Sequence, residues 1–173
     1  MSYILGLYFE QIYGMPEIVV FGIYIALGII TSFVCLWLSP YIHRLSFKFN
    51  IMMSSIVFTI SYLLIVLIDN FYFAVIISLF LLPFGPAILF PGAMTMTIKL
   101  SDMRGKTLLT SFMLLFIFTG GSLAGVIVDS CLRIFPGKDG FIIAFVLNIL
   151  SSILIGVLAR FVPDIKIEGH ENQ

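Results

Sequence analysis

Five stretches of this sequence run for at least eighteen residues without a charged side chain: Ile18–Leu38, Ile51–Ile68, Phe71–Ile98, Thr107–Val128 and Phe141–Ala159. A hydrocarbon core about 30 Å thick is crossed by about 20 apolar residues at about 1.5 Å each. Each run is long enough to cross. In lipid every backbone N–H and C=O must find its partner inside the protein, which leaves helices and closed barrels. No ten-residue alternating pattern suggests a barrel strand. The expected fold is therefore all-α: a polytopic membrane helix bundle of about five transmembrane helices, one membrane domain over residues 1–173.

Composition excludes the other classes. Of the 173 residues 61% are hydrophobic and only 10% charged, and the mean hydropathy is +1.17. That is too little charge to cover a water-soluble surface and too much apolar mass for a disordered chain. Nine Lys and Arg against nine Asp and Glu give no basic field for nucleic acid. Two cysteines, Cys35 and Cys131, are too few for a disulfide framework. His43 and His170 stand far apart, so no metal site is expected. No HExxH, GxSxG or phosphate-binding loop occurs, and no carboxylate pair or Ser/His pair lies within a run. The sequence is not read as that of an enzyme, and no cofactor is expected.

Charge sets the expected orientation. Arg44, Lys48, Lys99, Arg104, Lys106, Arg160 and Lys166 fall in one alternate set of loops, whereas Arg133 and Lys138 fall in the other. The positive-inside rule then places the N-terminus outside and the tail 160–173 in the cytoplasm. Residues 1–14 are apolar but too short to span, and read as the stump of a longer helix.

Within such uniformly apolar spans the small and weakly polar residues carry the information, because close helix packing in lipid uses them. Ala144, Asn148, Ser152 and Gly156 recur every fourth residue in the last run; Tyr24, Gly28, Thr31 and Cys35 form a stripe in the first; Gly121 and Gly125 form a GxxxG in the fourth. Gly121, Gly125 and Gly156 are read as packing positions. Asn148 needs a partner, and a hydrogen bond to a neighbouring helix is expected. The third run, 28 residues, holds Pro83, Gly85, Pro86, Pro91 and Gly92 within ten positions. Proline lacks an N–H and clashes with the carbonyl four residues back, so a kink is expected there, either as plain structure or as a hinge. No ionisable residue lies near the centre of any run, whereas ion-coupled carriers mark their ion path with one.

The stretch Phe90-Pro91-Gly92-Ala93-Met94-Thr95-Met96-Thr97, then Asp102-Met103-Arg104-Gly105-Lys106-Thr107, then Thr119-Gly120-Gly121-Ser122-Leu123-Ala124-Gly125 resembles the tenth and eleventh helices of the major facilitator superfamily. The nearest type is the drug/proton antiporters of bicyclomycin resistance. Tyr8-Phe9-Glu10-Gln11-Ile12-Tyr13-Gly14 resembles the outer end of the seventh helix, and residues 40–50 sit where a basic cytoplasmic turn joins the eighth and ninth, with only Arg44 and Lys48 in place of the family's fuller motif. The resemblance implies part of the C-terminal half, approximately helices 8 to 12, of a multidrug-type efflux carrier in a bacterial inner membrane. The proton-handling carboxylates would then lie in the absent N-terminal helices. Such a piece would be a split or truncated product, not competent alone, whose partners are the lipid bilayer, a separately encoded N-terminal half and a small-molecule substrate. Tyr24, Thr31, Tyr62, Thr95, Thr119 and Asn148 are the expected cavity-wall residues. The competing reading is an independent small multi-span protein serving as a structural or assembly subunit.

Overall fold

The structure, a computed structural model, describes residues 2–42, 44–68, 70–100 and 105–161; side chains at 2–3, 95–100, 105–110, 112–114, 116–118 and 120–121 lie outside the description. Among the described residues seven helices follow one another: α1 Ser2–Tyr13, α2 Glu17–Ile42, α3 Phe47–Leu67, α4 Phe71–Phe80, α5 Phe84–Leu100, α6 Gly105–Ile134 and α7 Lys138–Leu158, followed by a 3-10 turn over Ala159–Phe161. No strand occurs among the described residues. Among the described residues four segments are long and apolar enough to cross a membrane: Glu17–Ile42, Phe47–Leu67, the broken pair Phe71–Met94, and Lys138–Phe161. The molecule is thus an integral membrane helix bundle. The run Thr107–Val128 lies within α6, 30 residues long, for which the side-chain description is incomplete.

Helix ends fall where local chemistry places them. Ser46 caps α3, its hydroxyl accepting from Phe49 N–H, and Asn70 caps α4 through Phe73 N–H; each side-chain oxygen answers one of the amides a helix start leaves open. Gly14 turns the chain at φ +62, a conformation costly for any residue with a Cβ. Pro16 then accepts from Val19 and Val20 N–H to begin α2.

The third run is two helices. Leu81–Pro83 form a turn between α4 and α5, because neither Pro83 nor Pro86 can donate to the carbonyl one turn back. The ladder is patched by bonds of other lengths: Leu82 N–H reaches Ile77 O at 3.0 Å, Phe84 N–H reaches Leu81 O at 3.2 Å, and Gly85 N–H reaches Leu82 O at 3.2 Å. Pro91, expected to bend the chain as well, sits inside the continuous helix α5. Pro40 likewise lies inside α2, two residues before its end.

The short N-terminal segment is more than a stump. Helix α1 buries Ile4, Leu5, Tyr8 and Phe9, none above 4% exposed, one face of a helix at i, i+1, i+4, i+5 spacing. The Tyr8 ring meets Phe141 and Phe145 of α7 edge-on at 5.4 and 5.3 Å, and Phe9 meets Phe71 of α4 at 5.9 Å. At about 1.5 Å per residue its twelve residues span about 18 Å, too little to cross the bilayer. It closes one end of the bundle with aromatic contacts instead.

Helix α3 is the hub, packing on α7, α5 and α4, while α2 lies against α5, α4 and α1, and α6 against α7 and α5. At the far end of the bundle Lys48 Nζ donates to the carbonyl of Arg160 at 3.1 Å, tying the start of α3 to the chain just beyond α7.

Candidate functional site

The buried face of α3 is polar. Asn50, Ser54, Ser55, Ser61 and Tyr62 are all buried, Asn50, Ser61 and Tyr62 completely. In a chain so apolar this is where chemistry other than packing concentrates. Ser54 donates to the carbonyl of Gly85 at 2.8 Å, at the first turn of α5 beside the break. The contact is close because Gly85 has no Cβ; one would stand 2.6 Å from the Phe58 ring. One heptad along α5, Gly92 takes Asn50 in the same manner, with a Cβ 2.8 Å from Asn50 Nδ2. Two glycines seven residues apart thus form a notch along which α3 and α5 approach.

Two buried polar atoms on this side of α3 have no partner among the described residues, Asn50 Oδ1 and the Tyr62 hydroxyl. Asn50 Nδ2 makes only a long 3.5 Å contact with Ile42 O. An unanswered buried polar group costs roughly 1–3 kcal/mol, and a shape-preserving apolar replacement recovers part of that. Tyr62→Phe and Asn50→Leu are therefore expected to leave the fold intact and raise its resistance to detergent unfolding, each by about 1 kcal/mol. A lowered unfolding midpoint for both would contradict this account of the seam.

The sequence-selected residues do not converge on one cavity. Tyr24 is half-buried and leans on Gly6, where a Cβ would collide with its hydroxyl. Thr31 is half-buried, its hydroxyl spent on Leu27 O at 2.7 Å. Tyr62 is sealed in the core against Phe145, ring centroids 5.8 Å apart. Thr119 is exposed, and the Thr95 side chain lies outside the described residues. Asn148, expected to bond a neighbouring helix, donates to Ala144 O of its own helix at 2.9 Å. Of the hinge set, Pro83 and Gly85 stand at or beside the break, Pro86 in the first turn of α5, and Pro91 and Gly92 in its continuous part. Gly156 meets Ser55 of α3, a Cβ there standing 3.3 Å away; Gly125 is half-buried on α6, and the surroundings of Gly121 lie outside the description. Ser54, Ser61 and Tyr62 stand out together in the second run by sequence, but Asn50 does not, although with Ser54 and Ser61 it occupies one helical face at spacings of four and seven.

Two open grooves lie beside α1. One, about 440 Å³, runs between α1 and α2 and is lined by Leu7, Glu10, Glu17, Val20, Phe21 and Tyr24. The other, about 480 Å³, lies between α1 and the α6–α7 turn and is lined by Leu7, Gln11, Asp129, Leu132, Arg133 and Gly137. No group of His, Cys, Asp or Glu among the described residues is arranged to hold a metal.

The outward faces of the helices differ in chemistry. On α3 the exposed large side chains are Phe49, Ile56, Ile60, Leu63 and Leu67, and on α7 they are Val146, Leu147, Leu150, Ile153, Leu154, Ile155, Val157 and Leu158, with Ser151 the one exposed hydroxyl of α7. On α6, Ser111, Leu115, Thr119, Ser122, Val126 and Ser130 are exposed at spacings of four, four, three, four and four, a single helical face carrying four hydroxyls. On α2, Gly22, Gly28 and Ser32 are exposed among large apolar side chains that are also exposed, Ile18, Phe21, Ile25, Ile29, Phe33, Leu36 and Trp37, and a Cβ at either glycine would meet nothing within 4 Å. Comparison with known protein families, with curated proteins and with solved structures returns no match.

Proposed function

We propose that this chain is a C-terminal portion of a secondary carrier of the major-facilitator, multidrug-efflux type, which works only when docked to a separately encoded N-terminal half. The observation that supports this reading is the unequal polarity of the outward faces. Aliphatic faces such as those of α3 and α7 suit lipid, which offers nothing to a hydroxyl. A stripe of small serine and threonine side chains on α6, and the exposed glycines of α2, suit another helix, since small residues admit close backbone approach. The α4–α5 break, held by Ser54, fits the same reading, because interrupted membrane helices are tolerated where protein buries them or a cavity lies beside them. Tyr24, Thr31, Thr95, Thr119 and Asn148 are the wall residues it retains. Tyr62, sealed in the core, passes from wall to packing. The basic loops set the orientation, tail in the cytoplasm, and transport needs both halves because alternating access requires two bodies.

A photo-reactive side chain placed at Ser122 or Ser32 in living cells tests the docking. It is expected to give one discrete protein adduct, whereas the same group at Leu154 gives lipid adducts only. Lipid adducts at all three sites would overturn the reading. The competing reading, an independent structural or assembly subunit, draws on α1, whose buried aromatic face closes the bundle from within the chain itself. It predicts adducts with a second copy or with an unrelated complex.

A further inference from the structure

We infer that the junction of α3 and α7 at the Lys48 end of the bundle binds the headgroup of an anionic phospholipid, as in phosphatidylglycerol, with the acyl chains lying along the outward side of the two helices. The pair is antiparallel: Lys48 meets Arg160, Ser55 meets Gly156 and Tyr62 meets Phe145. One residue turns a helix by about 100°. In an antiparallel pair, a step of one residue past the contact therefore swings both helices toward the same side. On α3 that step leads from Lys48, Ser55 and Tyr62 to Phe49, Ile56 and Leu63, all exposed. On α7 it leads from Ser152 and Gly156 to Ile153 and Val157, also exposed. Three residues beyond Val157 the α7 stripe ends at Arg160, exposed as well. Two apolar stripes thus run side by side on one face, with a basic residue at the head of each.

Charge decides the class of lipid. Lys48 spends one ammonium donor on the Arg160 carbonyl, which leaves two and holds the cation beside the chain leaving α7. The exposed Arg160 guanidinium is a planar fork suited to a phosphate. Arg44 adds a third positive charge in the turn that leads into α3, and the first turn of α3 holds no acid to offset the positive end of its dipole. The described carboxylates, Glu10, Glu17, Asp129 and Asp139, all lie toward the other end of the bundle. Such a basic cluster favours a headgroup of net negative charge over a zwitterion. Depth decides the source. The apolar stripes begin one residue past Lys48 and three before Arg160, so a phosphate held by these two already has hydrocarbon surface beside it. A free phosphate would use the charges and leave that surface bare. This inference does not rest on the carrier reading; a stand-alone membrane subunit would bind the same lipid.

The full chain, purified in detergent and exchanged into nanodiscs of mixed phosphatidylglycerol, phosphatidylethanolamine and phosphatidylcholine, is examined by native mass spectrometry for retained lipid. Phosphatidylglycerol is expected to stay bound in preference to both zwitterionic lipids. Arg160→Gln removes the guanidinium and leaves the carbonyl that Lys48 uses. It is expected to lower phosphatidylglycerol retention about fivefold, the weight of one basic side chain at an anionic surface, with an unchanged unfolding midpoint in phosphatidylcholine alone. Lys48→Gln is expected to lower retention at least as much, while Arg133→Gln at the opposite end changes nothing. Neutralising the acids of the tail together, with Asp164→Asn, Glu168→Gln and Glu171→Gln, is expected to leave retention as it was. Millimolar inorganic phosphate is expected not to displace the lipid. Displacement by phosphate would make this a soluble-anion site and overturn the inference. A marked gain on neutralising the tail would make the tail the occupant and overturn it too, as would equal retention of all three lipids, or retention unchanged in both Arg160→Gln and Lys48→Gln.

Discussion

Gly140→Ala is expected to cost the bundle on the order of 3 kcal/mol, the upper end for overpacking a close contact, and to broaden or abolish its monodisperse elution in detergent. The glycine lies in the first turn of α7, buried, where that helix presses against the end of α6. A Cβ there would run into the carbonyl oxygen of Phe135, with Leu132 Cδ2 at 3.1 Å and Cys131 O at 3.2 Å behind it. Two of these three atoms are backbone. The Cys131 carbonyl already accepts from Phe135 N–H at 2.9 Å, so moving it disturbs the bond that ends α6. A side chain can swing aside; a hydrogen-bonded turn cannot without unwinding. The detergent unfolding midpoint is the measurement, with Gly22→Ala as the reference substitution, because a Cβ at Gly22 meets nothing. Equal midpoints for the two variants would show that α6 and α7 are not held as described.

Phe145→Ala is the second large effect expected, a loss of about 2–3 kcal/mol. Phe145 is 1% exposed and lies between Tyr8 of α1, 5.3 Å away, and Tyr62 of α3, 5.8 Å away. In a water-soluble protein a buried Phe→Ala typically costs about 3–5 kcal/mol, combining lost transfer energy with the cavity left behind. In a bilayer the unfolded helix still sits in hydrocarbon, so the transfer contribution largely drops out and the lost van der Waals contact remains. The same substitution strips Tyr8 of one of its two α7 contacts. Protease sensitivity at the N-terminus is therefore expected to rise along with the fall in midpoint. Leu154→Ala, on the exposed face of α7, is expected to change neither. A Phe145→Ala protein as stable as the parent would mean that α1 does not dock through this aromatic cluster.

Much of the architecture is legible in the sequence because the bilayer imposes it. The charge-free runs mark the crossings, and Pro83 with Pro86 marks the place where the third crossing breaks. The limits are equally physical. Pro91 has the same chemistry as Pro83, yet α5 passes through it, since one missing N–H in an otherwise intact helix is tolerated where close packing supports it on either side, as Gly85 and Gly92 do against α3. The hydroxyls and amides mislead for a related reason. A helix offers each of them an acceptor one turn back, and Thr31, Ser55, Ser61, Ser78 and Asn148 all take it. A polar residue in a span therefore does not announce whether it faces a partner, a cavity or its own backbone. Asn50 escaped notice by its place just before an apolar run, whereas Tyr62, expected on a cavity wall, is buried against Phe145. The role of α1 was hidden because its buried face depends on residues of α4 and α7 far along the chain.

The bond from Ser54 to Gly85 bears on how such a chain comes to be made. The hydroxyl that pins α5 belongs to a helix that leaves the ribosome earlier, so the anchor is in place before the interrupted segment arrives. Biogenesis thereby acquires a direction, in which the interrupted crossing is received by a helix made before it.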